Sequence, residues 1–288
     1  MIKISLVFIS VISLIHSNLF AGTGFKLEKI WESDSVFMSP ECVVYDSVRG
    51  TLYVSNINDK KHPKGYDDTV FNECISKVDL DGNIIDLKWV ENIHRPAGIA
   101  IFNDMLYVVE RSSLLKVDIG KEKIEKRFPI PDPGMPNDIV IDKNGDIYIS
   151  DSQKSKIYRF RNDTVELWLN DSLFKGTNGL LIDGNYLLIG NRGDNNIISV
   201  SLSDKSVKVL AKGISKGIDG IKKIGGYYLI SWLTKIKIVN TNGYNQTLQN
   251  TKTKGDWRAD FEFIKDKNIL VVPTLRSNKV IAYKLIEK

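Results

Sequence analysis

The sequence predicts an all-β fold, a six-bladed β-propeller with four antiparallel strands per blade. Three observations predict it. Short β-branched, alternating segments recur along the chain between turn signals, as strands do. No segment longer than about ten residues shows a helical stripe. A strand-start motif also returns at a nearly constant interval of about forty residues, the length of one four-stranded blade.

The elements follow in order. Six segments open alike: Pro40-Glu41-Cys42, Pro96-Ala97-Gly98, Pro136-Asn137-Asp138, Thr177-Asn178-Gly179, Ile218-Asp219-Gly220 and Ala259-Asp260-Phe261. Their second residues lie at 41, 97, 137, 178, 219 and 260, so the intervals are 56, 40, 41, 41 and 41. Each is followed by a turn and a second strand, such as Asp146-Ile147-Tyr148-Ile149-Ser150 after Asp142-Lys143-Asn144-Gly145. Asp81-Gly82, Asp183-Gly184, Gly225-Gly226 and Asn242-Gly243 are further hairpin turns, because Gly and Asn tolerate positive φ. The sixth unit ends near Leu285 without a fourth strand. Phe25 to Trp31 can supply it, so pairing of the amino- and carboxy-terminal strands would close the ring and leave no open edge. Trp89 and Trp168 fall on fourth strands and are expected to pack between blades.

The first 21 residues read as a secretory signal peptide. Lys3 is followed by the apolar run Ile4 to Ile15 and then by small residues up to Ala21. Residues 22–288 are then one propeller domain, exported to a periplasm or secreted, with no membrane anchor after cleavage. Forty basic against 35 acidic residues give a net charge of +5 without a block of like charge. That balance argues against a nucleic-acid partner and leaves a small molecule as the expected one. Cys42 and Cys74 are the only cysteines, and an oxidising compartment would permit a disulfide. No Cys/His cluster with zinc spacing is present.

The repeat also nominates a site. The first strand of a blade lines the central channel, so Glu41, Ala97, Asn137, Asn178, Asp219 and Asp260 form a ring at one mouth. Five of these six carry side-chain oxygens. Three carboxylates this close would repel one another without a cation, and oxygen ligands suit a hard divalent ion such as Ca2+, with Zn2+, Mn2+ or Mg2+ as other candidates. The second strand returns to the same mouth and brings Asn56, Glu110, Arg111, Asp151, Asn191, Arg192, Trp232 and Arg276. Arginines beside a metal suggest an anionic or polyhydroxylated ligand. The long first interval marks an insertion from about Asn58 to Glu73, carrying His62, Tyr66, Asp67 and Asp68, which could act as a lid.

These motifs, Ser39-Pro40-Glu41, Pro136-Asn137-Asp138 with Asp142 to Tyr148, Thr177-Asn178-Gly179-Leu180 and Ile218-Asp219-Gly220-Ile221, resemble the SMP-30/gluconolactonase (regucalcin-like) family, in a bacterial exported subgroup. The likeness spans roughly Glu32 to Lys284. It implies a six-bladed propeller with one divalent cation held by Glu41, Asn178 and Asp219. It also implies that Asn137 contacts substrate or completes the metal shell and that Asp219 is the general base. Arg111, Arg192, Asp260, Arg276 and Trp232 complete the expected substrate-binding set. One position departs from the pattern: Met135 stands where the sugar lactonases carry an arginine. The expected activity is metal-dependent hydrolysis of a lactone or related ester. The alternative is a non-catalytic, metal-stabilised propeller that binds a small ligand, a glycan or a protein.

Overall fold

The structure, a computed structural model, describes residues 24–58, 73–215, 217–251 and 257–288. The expected signal segment and most of the insertion, with His62, Tyr66, Asp67 and Asp68, lie outside the described residues. Among the described residues, twenty-four strands form six separate four-stranded antiparallel sheets. Strand β1 (Phe25–Glu32) precedes blade one, which contains β2 (Pro40–Asp46), β3 (Thr51–Asn56), β4 (Glu73–Asp79) and β5 (Ile84–Ile93). Blade two contains β6 (Ile99–Phe102), β7 (Met105–Val109), β8 (Ser113–Asp118) and β9 (Lys123–Pro129). Blade three contains β10 (Pro136–Ile141), β11 (Ile147–Asp151), β12 (Lys156–Arg161) and β13 (Thr164–Asn170). Blade four contains β14 (Thr177–Asp183), β15 (Tyr186–Asn191), β16 (Ile197–Ser201) and β17 (Val207–Ala211). Blade five contains β18 (Ile221–Ile224), β19 (Tyr227–Trp232), β20 (Lys235–Val239) and β21 (Asn245–Asn250). Blade six contains β22 (Glu262–Ile264), β23 (Ile269–Thr274) and β24 (Lys279–Glu287), and β1 is its fourth strand. The six-bladed propeller is therefore the fold, with its ring closed as the sequence predicts.

Burial explains why each strand sits where it does. The second strands are apolar on both faces because neighbouring blades cover both: β3 and β11 are buried throughout. The fourth strands face solvent on one side, and β9 and β13 mix charged with apolar residues accordingly. Closure is held by side chains as well as by the β1–β24 ladder. Gln246 accepts from the Phe25 amide at 2.9 Å and donates to the Phe25 carbonyl at 2.8 Å, tying β1 to blade five. Trp31 Nε1 donates to the Leu80 carbonyl at 2.8 Å, tying β1 to blade one.

The cores lie between blades. Trp89 packs on Tyr53, ring centroids 4.7 Å apart, in a cluster shared with Ile99, Leu106 and Leu115 of blade two. Trp168 meets Tyr148 edge-on at 4.9 Å in a cluster shared with Leu180, Leu187 and Ile198 of blade four. Both tryptophans thus fill inter-blade seams, as their positions suggested. Cys42 and Cys74 are both free and buried. They lie on β2 and β4, with β3 between them. Two inter-strand spacings come to about 9.5 Å, beyond the Cα separation of about 7 Å that a disulfide tolerates.

Candidate functional site

The mouth of the channel is built on a repeated backbone irregularity. In blade one, Pro40 pairs with Asn56 and Cys42 with Ser55, leaving Glu41 as the extra residue. In blade three, Pro136 pairs with Asp151 and Ile139 with Ile149; in blade four, Thr177 pairs with Asn191 and Leu180 with Ile189. Each has one more residue on the inner strand than on its partner, which is a β-bulge. Blades two and five repeat the pattern by hydrogen bonds: Ala97 N to Val109 O with Val109 N to Gly98 O, and Asp219 N to Ser231 O with Ser231 N to Gly220 O. A bulge re-aims the side chain that carries it, and here it presents the ring residues at the mouth.

The bulges of neighbouring blades interlock. The Gly98 amide donates to the Asn137 carbonyl at 2.7 Å, and the Asp260 amide to the Glu41 carbonyl at 3.0 Å. Ser55 Oγ donates to the Ala97 carbonyl at 2.8 Å, and Ser231 Oγ to the Ala259 carbonyl at 2.9 Å. Gly179 permits the tightest approach: a Cβ there would lie 1.8 Å from the Asp219 carbonyl oxygen. The spacing of the ring is therefore fixed by backbone contacts.

Three of the predicted ligands come together. Asn178 Nδ2 donates to Asp219 Oδ1 at 2.7 Å, and Asn178 Oδ1 is buried with no hydrogen-bond partner. Burial pushes the Glu41 carboxyl well above its usual range; Asp219 and Asp260 push it further, while Arg95 and Arg192 pull it back. Burial and the charge of Asp260 raise Asp219 to about 7, against the pull of Arg192 and Asn178. Among the described residues no group of three or more His, Cys, Asp or Glu side chains is arranged to hold a metal. The set here consists of two carboxylates and an amide, crowded so that the carboxyls resist ionisation and one amide oxygen lacks a donor. Glu41, Asn178 and Asp219 are thus the residues that could hold a hard cation.

Asp260 belongs with this set by its charge on Glu41 and Asp219, and it is buried, with Oδ1 accepting from the Phe261 amide at 2.8 Å and Oδ2 lying 3.5 Å from Cys42 Sγ. The other predicted residues are dispersed. Asn137 is half-buried at the mouth, and its carbonyl serves blade two. Arg276 is exposed, its guanidinium 3.3 Å over the Trp257 ring. Arg111 lines a cavity of about 250 Å3 with Arg95, Met135, Pro136 and Gln153. Arg192 and Trp232 line an adjoining cavity of about 530 Å3, which shares Met135 and Gln153 and adds Lys175. The Arg192 guanidinium lies 5.7 Å over the Trp232 ring. Trp232 in turn covers Gly217, where a Cβ would come within 2.5 Å of the indole.

Two groups escaped the sequence reading. Arg95 stands two residues before Ala97, the repeat position that Met135 occupies before Asn137. Lys222 stands three residues after Asp219, where the other blades have Val44, Ala100, Val140, Leu181 and Phe263. Aligning the repeats from two residues before the ring position to three after it would have shown both. Burial disfavours the Lys222 ammonium, but Asp260, Glu262 and Asp138 outweigh it and hold the proton more tightly than usual. Asp138 is itself raised by burial and by Asp260. Half-buried Lys222 thus shares an electrostatic cluster with buried Asp138 and Asp260.

The fold has known counterparts. A gluconolactonase from Xanthomonas campestris is similar over 90% of this chain and 89% of its own, at 15% identity and a TM-score of 0.69. Virginiamycin B lyase from Staphylococcus aureus is similar over 91% of this chain and 100% of its own, at 15% identity and a TM-score of 0.65. A streptogramin B lyase covers 92% of this chain and 98% of its own, at 13% identity and a TM-score of 0.63. No family model matches the chain, and no curated protein matches it. At these identities the likeness establishes the propeller architecture alone.

Proposed function

We propose that this protein is a divalent-metal-dependent hydrolase of a lactone or related ester, exported to a periplasm or secreted, with its site at the channel mouth. One observation carries the reading: the Asn178 amide oxygen is buried without a donor while its amide nitrogen binds Asp219, whose charge in turn bears on buried Glu41. Such a set is costly when empty of positive charge. Glu41, Asn178 and Asp219 hold the ion in this reading, and Ca2+ suits their oxygens best. A divalent ion supplies polarisation of a carbonyl and a more acidic water. The gluconolactonase and lyase neighbours share the scaffold, which itself hosts unrelated activities.

The chain's own residues carry the proton. Asp219 accepts a proton from the attacking water. Asn178 orients it through the 2.7 Å bond. The water oxygen bonds to the carbonyl carbon, the ring C–O bond breaks, and the proton passes from Asp219 to the departing alkoxide, giving a hydroxy acid. Met135 and Trp232 provide apolar walls above, and Arg111 and Arg192 provide positive charge beside them.

Asp219→Asn is expected to lower kcat/KM by a factor of about 10^2–10^4, the usual contribution of a general base, with an unchanged circular dichroism spectrum. Parental activity in this variant would refute the role. Substrates come from a panel of lactones and aryl esters assayed with Ca2+, Mn2+ and Zn2+ and with a chelator. Metal-dependent turnover supports the hydrolase. A chelator that lowers the melting temperature, with no turnover on any substrate, supports the binding propeller instead.

A further inference from the structure

We infer that the mouth selects substrates bearing a carboxylate of their own, and that Arg95 is the residue that selects them. The inference deepens the hydrolase reading and rests on it for the reaction, though not for binding.

Arg95 is held in place by its backbone. Its φ is 48°, in the left-handed region that disfavours side chains. At the equivalent repeat position blades four and five use Gly176 and Gly217, with φ of 66° and 141°. Glycine takes such angles without strain, so an arginine here keeps its side chain at a conformational cost. Strained residues of this kind cluster at ligand sites. The turn is pinned on both sides. The His94 amide donates to Glu110 at 3.0 Å, the Arg111 amide to the His94 carbonyl at 3.1 Å, and the Ala97 amide to the Val109 carbonyl at 2.8 Å.

The guanidinium so placed lacks a partner. Arg49, Arg127, Arg159 and Arg161 each pair with a carboxylate, whereas Arg95 makes no hydrogen bond or ion pair among the described residues. Its charge bears on buried Glu41, a group that the proposed cation would claim. Arg95 then has a planar donor fork open toward the 250 Å3 cavity, and a carboxylate matches that fork with two parallel hydrogen bonds. Beside it Met135 and Pro136 offer no side-chain hydrogen bonds, and Gln153 is the neutral hydrogen-bonding side chain among the lining residues, with Arg111 adding positive charge. The adjoining cavity with Trp232 accepts the uncharged remainder of the substrate.

The test uses the γ-lactone of 2-hydroxyglutarate and its neutral carboxamide, with 2-hydroxyglutarate and its diamide as binding probes, on the Ca2+-loaded full chain. The parent is expected to favour the anionic lactone in kcat/KM, and the dianion in calorimetric affinity, by about tenfold or more, the scale of a charge-assisted pair. Arg95→Gln should reduce both ratios to near one. Arg95→Gly should do the same while relieving the backbone, so that a folding defect cannot account for the loss. If neither lactone turns over but Arg95-dependent binding persists, the hydrolase reading fails and the selectivity stands. If both turn over equally, or if binding shows no Arg95-dependent preference, the selectivity is overturned.

Discussion

At the scale of residues, the mouth is a problem in proton affinity. Buried Glu41 and half-buried Asp219 lie within electrostatic reach of each other and of Asp260, and each resists ionisation in the metal-free protein. An unfolded chain ionises such an aspartate near 3.8, whereas the folded protein holds Asp219 to about 7. Between those values unfolding releases a proton. The stabilising contribution is therefore complete below the unfolded value and is lost as pH rises through the folded one. Chelator-treated protein is expected to melt at a lower temperature at pH 8 than at pH 5, and Ca2+ should raise the melting temperature more at pH 8. A flat or opposite profile in calorimetric scans would contradict the assignment. The two cysteines show what composition alone leaves open. Export permits a bridge, but strand order places a whole strand between Cys42 and Cys74.

At the scale of elements, the bulge is the device that turns a blade into part of a site. Period and motif made the ring legible in the sequence, because Glu41, Asn178 and Asp219 fall in one column of the repeat. Side-chain direction was not legible. Asp260 shares that column yet turns one oxygen to the Phe261 amide and the other toward Cys42, because side-chain torsions and the neighbouring blade decide where an oxygen ends. Arg95 and Lys222 lay two columns before and three after it and showed no motif of their own. The interlocking of bulges is also testable. Gly179→Ala would drive a Cβ to 1.8 Å from the Asp219 carbonyl oxygen, so the blade-five bulge must move. We expect a loss of about 2 kcal/mol or more, as for other overpacked sites, together with weakened cation binding. Urea denaturation with and without Ca2+ measures both, and parental values in both would show that the bulge spacing is immaterial.

At the scale of the whole molecule, six sheets and one closing strand hold the mouth rigid from all sides. The fold was legible almost to its strands, because a forty-residue period admits few architectures and the orphan strand Phe25–Glu32 had one open edge to pair with. Chemistry was less legible, since a propeller scaffold leaves function to the groups at its mouth. Those groups make one claim above all, that Glu41, Asn178 and Asp219 together hold a single divalent ion. Calorimetric titration of chelator-treated protein with Ca2+ tests it most directly, with Glu41→Gln and Asn178→Ala titrated alongside. The account predicts one site per chain in the parent and at least a tenfold loss of affinity in each variant, the scale on which such sites respond to altered groups. Absence of binding by the parent to Ca2+, Mn2+ or Zn2+, or equal binding by all three proteins, would contradict it.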